Sequence, residues 1–189
     1  MPLYFAYGAN MDRDAMAVRC PLSRPLGTAR LPRHRFVITR DGYASVVRDP
    51  RLTVHGVIWD LAMSEVRVLD KFEAVDRGLY AKITQAVITE AGPRRALVYV
   101  GVNAELGQPR PGYLEAVMAS AESWNLPVAY RQEIARYMRS GASQKLAMPV
   151  PPVATSDDAR HGAGPVPGVQ ARGEAPVPTV GAVRRRPPG

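Results

Sequence analysis

The chain opens on a short run of apolar and aromatic positions, Leu3 to Tyr7, that stops at Gly8, the pattern of a buried strand. Asp12 stands where it can cap a short helix running through Val18. β-type runs follow at Arg35 to Arg40, Tyr43 to Val47 and Thr53 to Leu61, and Arg48-Asp49-Pro50-Arg51 reads as a polar turn between the last two. Ser64 then starts a helix with Val66, Leu69 and Phe72 spaced along one face, and Gly78 lies beyond its end. Two more strands, Leu79 to Thr89 and Arg94 to Val102, are joined by a turn at Glu90-Ala91-Gly92-Pro93. After a loop at Gln108 to Gly112, the spacing predicts helices over Tyr113 to Trp124 and Val128 to Met138, the second stopping before Gly141. Strands this close in sequence favour antiparallel pairing. The expected class is α+β, with a small mixed, mostly antiparallel sheet that curls towards a barrel and carries flanking helices.

The pattern ends near residue 148. From Pro149 to Gly189 there are nine Pro and six Gly in 41 residues, with no Leu, Ile, Phe, Tyr or Trp. Such a segment buries too little apolar area to offset the entropy of ordering it, so the expected organisation is one folded domain over 1–148 and a disordered basic tail over 149–189. The tail ends in Arg184-Arg185-Arg186, a weak signal for an acidic partner whose identity stays open.

Charge adds one question. The chain carries a net +8, with 20 basic against 14 acidic residues in 1–148 and 5 against 3 in the tail, so the excess is spread out rather than gathered in a nucleic-acid footprint. Arg30, Arg33, His34, Arg35 and Arg40 form the densest cluster, readable either as a solvated face or as a patch that steers an anionic substrate. Cys20 is the lone cysteine, which excludes an internal disulfide and a thiolate cluster and reads as a small buried hydrophobe. His34, His55 and His161 are scattered without metal-ligand spacing, so neither a metal nor another cofactor is expected. No apolar run approaches a membrane span and Met1 to Phe5 does not read as a secretory signal, so a cytoplasmic location is expected.

Two segments can carry chemistry. Tyr7-Gly8-Ala9-Asn10 joins a strand end to a helix start, a turn whose backbone N–H groups can form a concavity for a carboxylate or oxyanion; it also reads as a plain turn capped by Asn10 or Asp12. Glu73 lies four residues after Leu69 and seven after Val66, so on a continuing helix it projects from the apolar stripe, where desolvation raises its pKa. If the helix frays first, Glu73 is an exposed carboxylate instead. Tyr80, Tyr99 and Tyr113 are core or rim aromatics, or phenols that orient a ligand.

These pieces, in this order, resemble the gamma-glutamylcyclotransferase superfamily. Leu3 to Met11 is similar to its Tyr-Gly-Ser-Asn opening motif, Val54-His55-Gly56-Val57-Ile58-Trp59 to a strand before its helix, and Leu69-Asp70-Lys71-Phe72-Glu73 with Tyr80 to its catalytic segment. Tyr113-Leu114 through Leu126-Pro127 and Tyr130 is similar to its closing helical pair. The chain departs from that pattern at Ala9, where serine is usual, and at Ala74, where glycine is usual after the glutamate. The resemblance implies cleavage of a gamma-glutamyl amide by cyclisation to 5-oxoproline and a free amine. It implies Glu73 as the acid/base, and Tyr7, Gly8, Ala9, Asn10, Tyr80 and Tyr113 around a small gamma-glutamyl substrate. The competing class is a non-catalytic domain that binds a small anion and uses the basic tail for a partner; nucleic-acid and membrane partners are not expected.

Overall fold

The computed structural model describes residues 1–103 and 105–146, with side chains placed as far as residue 138. The expected tail, 149–189, lies outside the described residues. Five strands close into a barrel in the order β1-β3-β2-β4-β5: β1 (Leu3–Ala6), β2 (Arg24–Ile38), β3 (Ala44–Asp60), β4 (Tyr80–Thr89) and β5 (Gly92–Gly101). All neighbours are antiparallel except β1 and β5, which meet in parallel at Tyr4 and Leu97. The α+β class and the mixed, mostly antiparallel barrel are therefore observed. Among the described residues four α-helices flank it: α1 (Arg13–Arg19), α2 (Val66–Phe72), α3 (Tyr113–Ser123) and α4 (Val128–Leu146).

Three expectations need correction. The runs at Tyr43 to Val47 and Thr53 to Leu61 are one strand, because the polar segment between them is a bulge and not a turn between strands. Register jumps there from Pro32↔Thr53 to His34↔Arg48, and the Asp49 carboxylate accepts the Arg51 N–H at 3.1 Å within the excursion. Its partner β2 begins at Arg24, eleven residues before the apolar run at Arg35. Pro25, Gly27 and Pro32 hide it from the periodicity, and two register shifts, with Arg33 at φ 59°, absorb what those residues and the barrel's curvature demand. Finally, α4 does not stop before Gly141 but runs to Leu146; an interior glycine costs a helix only about 1 kcal/mol relative to alanine.

The core fills the barrel and extends under the helices. Phe5, Leu31, Phe36, Val54, Val57, Val87 and Val98 are buried in strands, and Met11, Met16, Leu114, Val117, Ala121 and Ile134 continue the same cluster under α1, α3 and α4. Two long-range hydrogen bonds pin the helices: Trp124 Nε1 donates to Met11 O at 2.7 Å, and Tyr137 Oη to Phe36 O at 2.9 Å. The first ties the end of α3 to the turn after β1, a turn that the site depends on.

Candidate functional site

Beyond β1 the chain enters a 3-10 turn, Ala9–Met11, and then α1, whose N-cap Asp12 accepts the Ala15 N–H at 2.8 Å. Gly8 has no room for a side chain: a Cβ there would sit 2.9 Å from the Tyr113 phenol oxygen. That oxygen accepts the Ala44 N–H at 3.1 Å and faces the N–H of Ala9, so α3 is seated on the turn through one phenol. Tyr80, from β4, donates to Ala44 O at 2.7 Å, and Tyr7 donates to Tyr99 O at 2.5 Å. The tyrosines thus spend their hydroxyls on backbone groups and present rings to the space between them.

Glu73 enters the cavity from the end of α2. α2 ends at Phe72, so the helix does not continue through Glu73; the residue is the C-cap, with its N–H bonded to Leu69 O. Ala74 then takes the left-handed conformation, φ 51° and ψ 45°, and its buried carbonyl accepts from both Arg77 and Leu79. A non-glycine residue in that region costs about 1 kcal/mol or more, and this tight knot is what holds it there. The helix frays where an exposed carboxylate was the alternative, yet the reversal turns the Glu73 side chain inward. Its Oε1 accepts from Asn10 Nδ2 at 2.9 Å, and the same amide nitrogen donates to Tyr4 Oη at 2.9 Å.

Burial pushes Glu73 up to about 7, against the opposing pull of the Arg19 guanidinium and of the Asn10 hydrogen bond. The carboxyl group can therefore lose or gain a proton near neutral pH. Desolvation likewise raises the phenols around it, Tyr113 to about 12 and Tyr80 and Tyr99 well above the ordinary range, so they stay neutral donors and acceptors. One cavity of about 480 Å³ is lined by the residues that the resemblance places around a substrate, Tyr7, Gly8, Ala9, Asn10, Glu73, Tyr80 and Tyr113, and by Tyr99. The basic cluster at Arg30 to Arg40 does not line it.

Sequence reasoning missed Tyr4 and Arg19. Tyr4 reads as a core position of a strand, and it is one, stacked edge-on against Tyr99 at 5.7 Å between ring centroids. Arg19 reads as a basic residue in the last turn of a helix, yet its guanidinium donates to Asn10 Oδ1 and lies 3.5 Å over the ring of Phe72. Asp41, Arg77 and Arg110 also line the cavity, as exposed residues, and carried no signal in the sequence.

Fold and site together define a class: a closed five-stranded barrel with helices on its flanks and an aromatic cavity into which a half-buried carboxyl group projects. An AIG2-like family model matches residues 53–134. The chain is 30% identical over 143 residues to a bovine gamma-glutamylcyclotransferase, an alignment spanning 70% of this chain and 76% of the relative. The human gamma-glutamylcyclotransferase is 28% identical over the same span. A solved structure of a gamma-glutamyl cyclotransferase shares the fold with a TM-score of 0.66 at 24% identity, covering 83% of this chain and 93% of that one. The chain belongs to the gamma-glutamylcyclotransferase family. Among the described residues, no helix is long and apolar enough to cross a membrane.

Proposed function

We propose that this protein converts a gamma-glutamyl amide into 5-oxoproline and a free amine, with Glu73 as the acid/base. The substrate's own α-amine attacks its γ-carbonyl carbon, a C–N bond closes the five-membered ring, and the original amide C–N bond breaks. Glu73 takes a proton from the α-ammonium and returns one to the departing nitrogen, so the carboxylate is regenerated and no protein nucleophile is needed. The observation that carries this reading is a carboxyl group poised near pH 7 that shares one cavity with the Tyr7 to Asn10 turn. The N–H groups of Gly8, Ala9 and Asn10 are candidates for the substrate carboxylate or the developing oxyanion. Ring closure in a held geometry supplies much of the rest, since positioning alone lowers such barriers by several kcal/mol.

The test is incubation with a panel of gamma-glutamyl amides and detection of 5-oxoproline. The amine released by the best member identifies the leaving group. Retention of a gamma-glutamyl ligand without turnover by any member would replace this reading with that of a binding domain. A second prediction concerns pH. The base form starts the reaction, so kcat/KM should rise about tenfold per pH unit below about pH 7 and level off above it. A profile flat from pH 5 to 8 would remove Glu73 from the rate-determining proton transfer.

A further inference from the structure

We propose that Arg19 is a positioning residue that holds the Asn10 side-chain amide by its oxygen and so commits the amide nitrogen to the Glu73 carboxyl group. The proposal rests on the reading of Glu73 as the acid/base. Asn10 stands at the centre of three contacts: Arg19 Nη1 donates to its Oδ1, while its Nδ2 donates to Tyr4 and Glu73. An amide can present either end to a carboxyl group. A carboxylate only accepts, but a protonated carboxyl donates, so a free Asn10 would turn over when Glu73 gains a proton and would then favour the protonated acid. Tyr4 does not prevent this, because a phenol accepts and donates equally well. Arg19 does. Its guanidinium has only donors and keeps its charge, so reversing the amide would set two donor groups against each other.

The guanidinium is itself fixed. Its central carbon lies 3.5 Å from the ring centroid of Phe72, the residue before Glu73, and thereby joins the last turn of α1 to the end of α2. None of the salt bridges among the described residues takes it away from this position. The other titratable groups around Glu73 are the phenols of Tyr4, Tyr7, Tyr80, Tyr99 and Tyr113, all raised and neutral in the working range. Asp70 acts one step away, accepting from Tyr99 Oη and Lys82 Nζ at 2.7 Å each. Asp41, Arg77 and Arg110 line the cavity as exposed side chains. Arg19 is the charge that opposes the effect of burial on Glu73.

The test uses the full chain with 13C-labelled glutamate, the Glu73 resonance being assigned by its loss in Glu73→Gln. In Arg19→Met, which keeps an unbranched stem over Phe72, the Glu73 midpoint and the acid limb of kcat/KM should move up together by about one pH unit or more. At neutral pH kcat should fall while KM changes little, because Arg19 does not line the cavity. Arg19→Lys restores the charge and should return the midpoint most of the way, a rescue that a purely structural role would not give. If Arg19→Met does not fold, Arg19→Gln carries the same measurement. The losses in kcat from Arg19→Met and Asn10→Ser should overlap instead of multiplying, since both act through one amide. An unchanged midpoint, or losses that multiply fully, overturns the proposal. If no gamma-glutamyl amide yields 5-oxoproline, the proposed reaction fails, while the resonance midpoint still decides the role of Arg19.

Discussion

Glu73→Gln should leave less than roughly one per cent of wild-type turnover, the loss expected when a general acid/base worth on the order of 10²- to 10⁴-fold is removed. The substitution is informative because so little else changes. Glutamine has the same reach, and its Oε1 can still accept from Asn10 Nδ2 where the carboxylate does at 2.9 Å. Affinity for 5-oxoproline or for a gamma-glutamyl amide, measured by calorimetry, should therefore stay close to wild type. Stability should move the other way from activity. Below the ordinary carboxylate range both folded and unfolded wild-type chains hold the proton, and Glu73 contributes no pH dependence. As pH rises from about 4.5 to about 7 the unfolded chain gives up the proton first, so wild-type stability falls across that window. The cost at pH 8 is at most about 3 kcal/mol, reduced by the part of the side chain that meets solvent. Glu73→Gln lacks this cost, and its thermal midpoint relative to wild type should climb between pH 5 and pH 8. Retained activity would end the cyclotransferase mechanism proposed for this residue. An unchanged stability difference across the pH range would show that its carboxyl group is not desolvated.

What the sequence revealed of this arrangement, and what it hid, follows from the range of the interactions. Tyr7 to Asn10 could be read because a strand, a glycine and a capped helix lie within a dozen residues, all of them local signals. Glu73 could be placed towards the interior by extending the phase of Val66 and Leu69, although that phase assumes a helix that in fact ends one residue earlier. The left-handed Ala74 does the work assigned to helical phase, and no periodicity reports a backbone reversal at a non-glycine residue. Arg19 was out of reach for a different reason. Nothing in the segment Arg13 to Arg19 distinguishes a solvated helix end from one that lies over Phe72, because that contact exists only after α1 and α2 have been packed side by side. The start of β2 was hidden for a third reason, since its prolines and outward arginines erase the alternation on which strand prediction depends, and the barrel tolerates them through bulges.

Gly56→Ala should be the most damaging single methyl group in the barrel. Gly56 sits in β3 opposite Ala29 of β2, on the stretch where β1 crosses β3 at Ala6 and Val57. A Cβ there would lie 2.2 Å from Ala6 O, 3.1 Å from Ala6 C and 3.0 Å from Phe5 Cζ. The first two obstacles are backbone, and the third belongs to a fully buried ring, so no flexible side-chain end can swing aside. Relief requires β1 to move, but β1 is held on one side by four residue pairs with β3 and on the other by Tyr4 against Leu97. Overpacking of a tight core costs about 1–3 kcal/mol and more when backbone must shift, against a gain of only about 0.4–1 kcal/mol from the stiffer unfolded chain. A loss near 3 kcal/mol corresponds to a fall of roughly 10 °C in the thermal midpoint for a domain of this size. Activity should fall beyond what the unfolded fraction explains, because β1 leads directly into Tyr7 to Asn10 and any displacement of Ala6 moves that turn relative to Glu73. Gly8→Ala provides the contrast: its close neighbour is the hydroxyl end of Tyr113, so stability should fall less, while turnover should fall because the displaced phenol belongs to the cavity. A Gly56→Ala protein with a wild-type midpoint would mean that β1 does not press on β3 at this point, and the turn carrying Asn10 would then need another support.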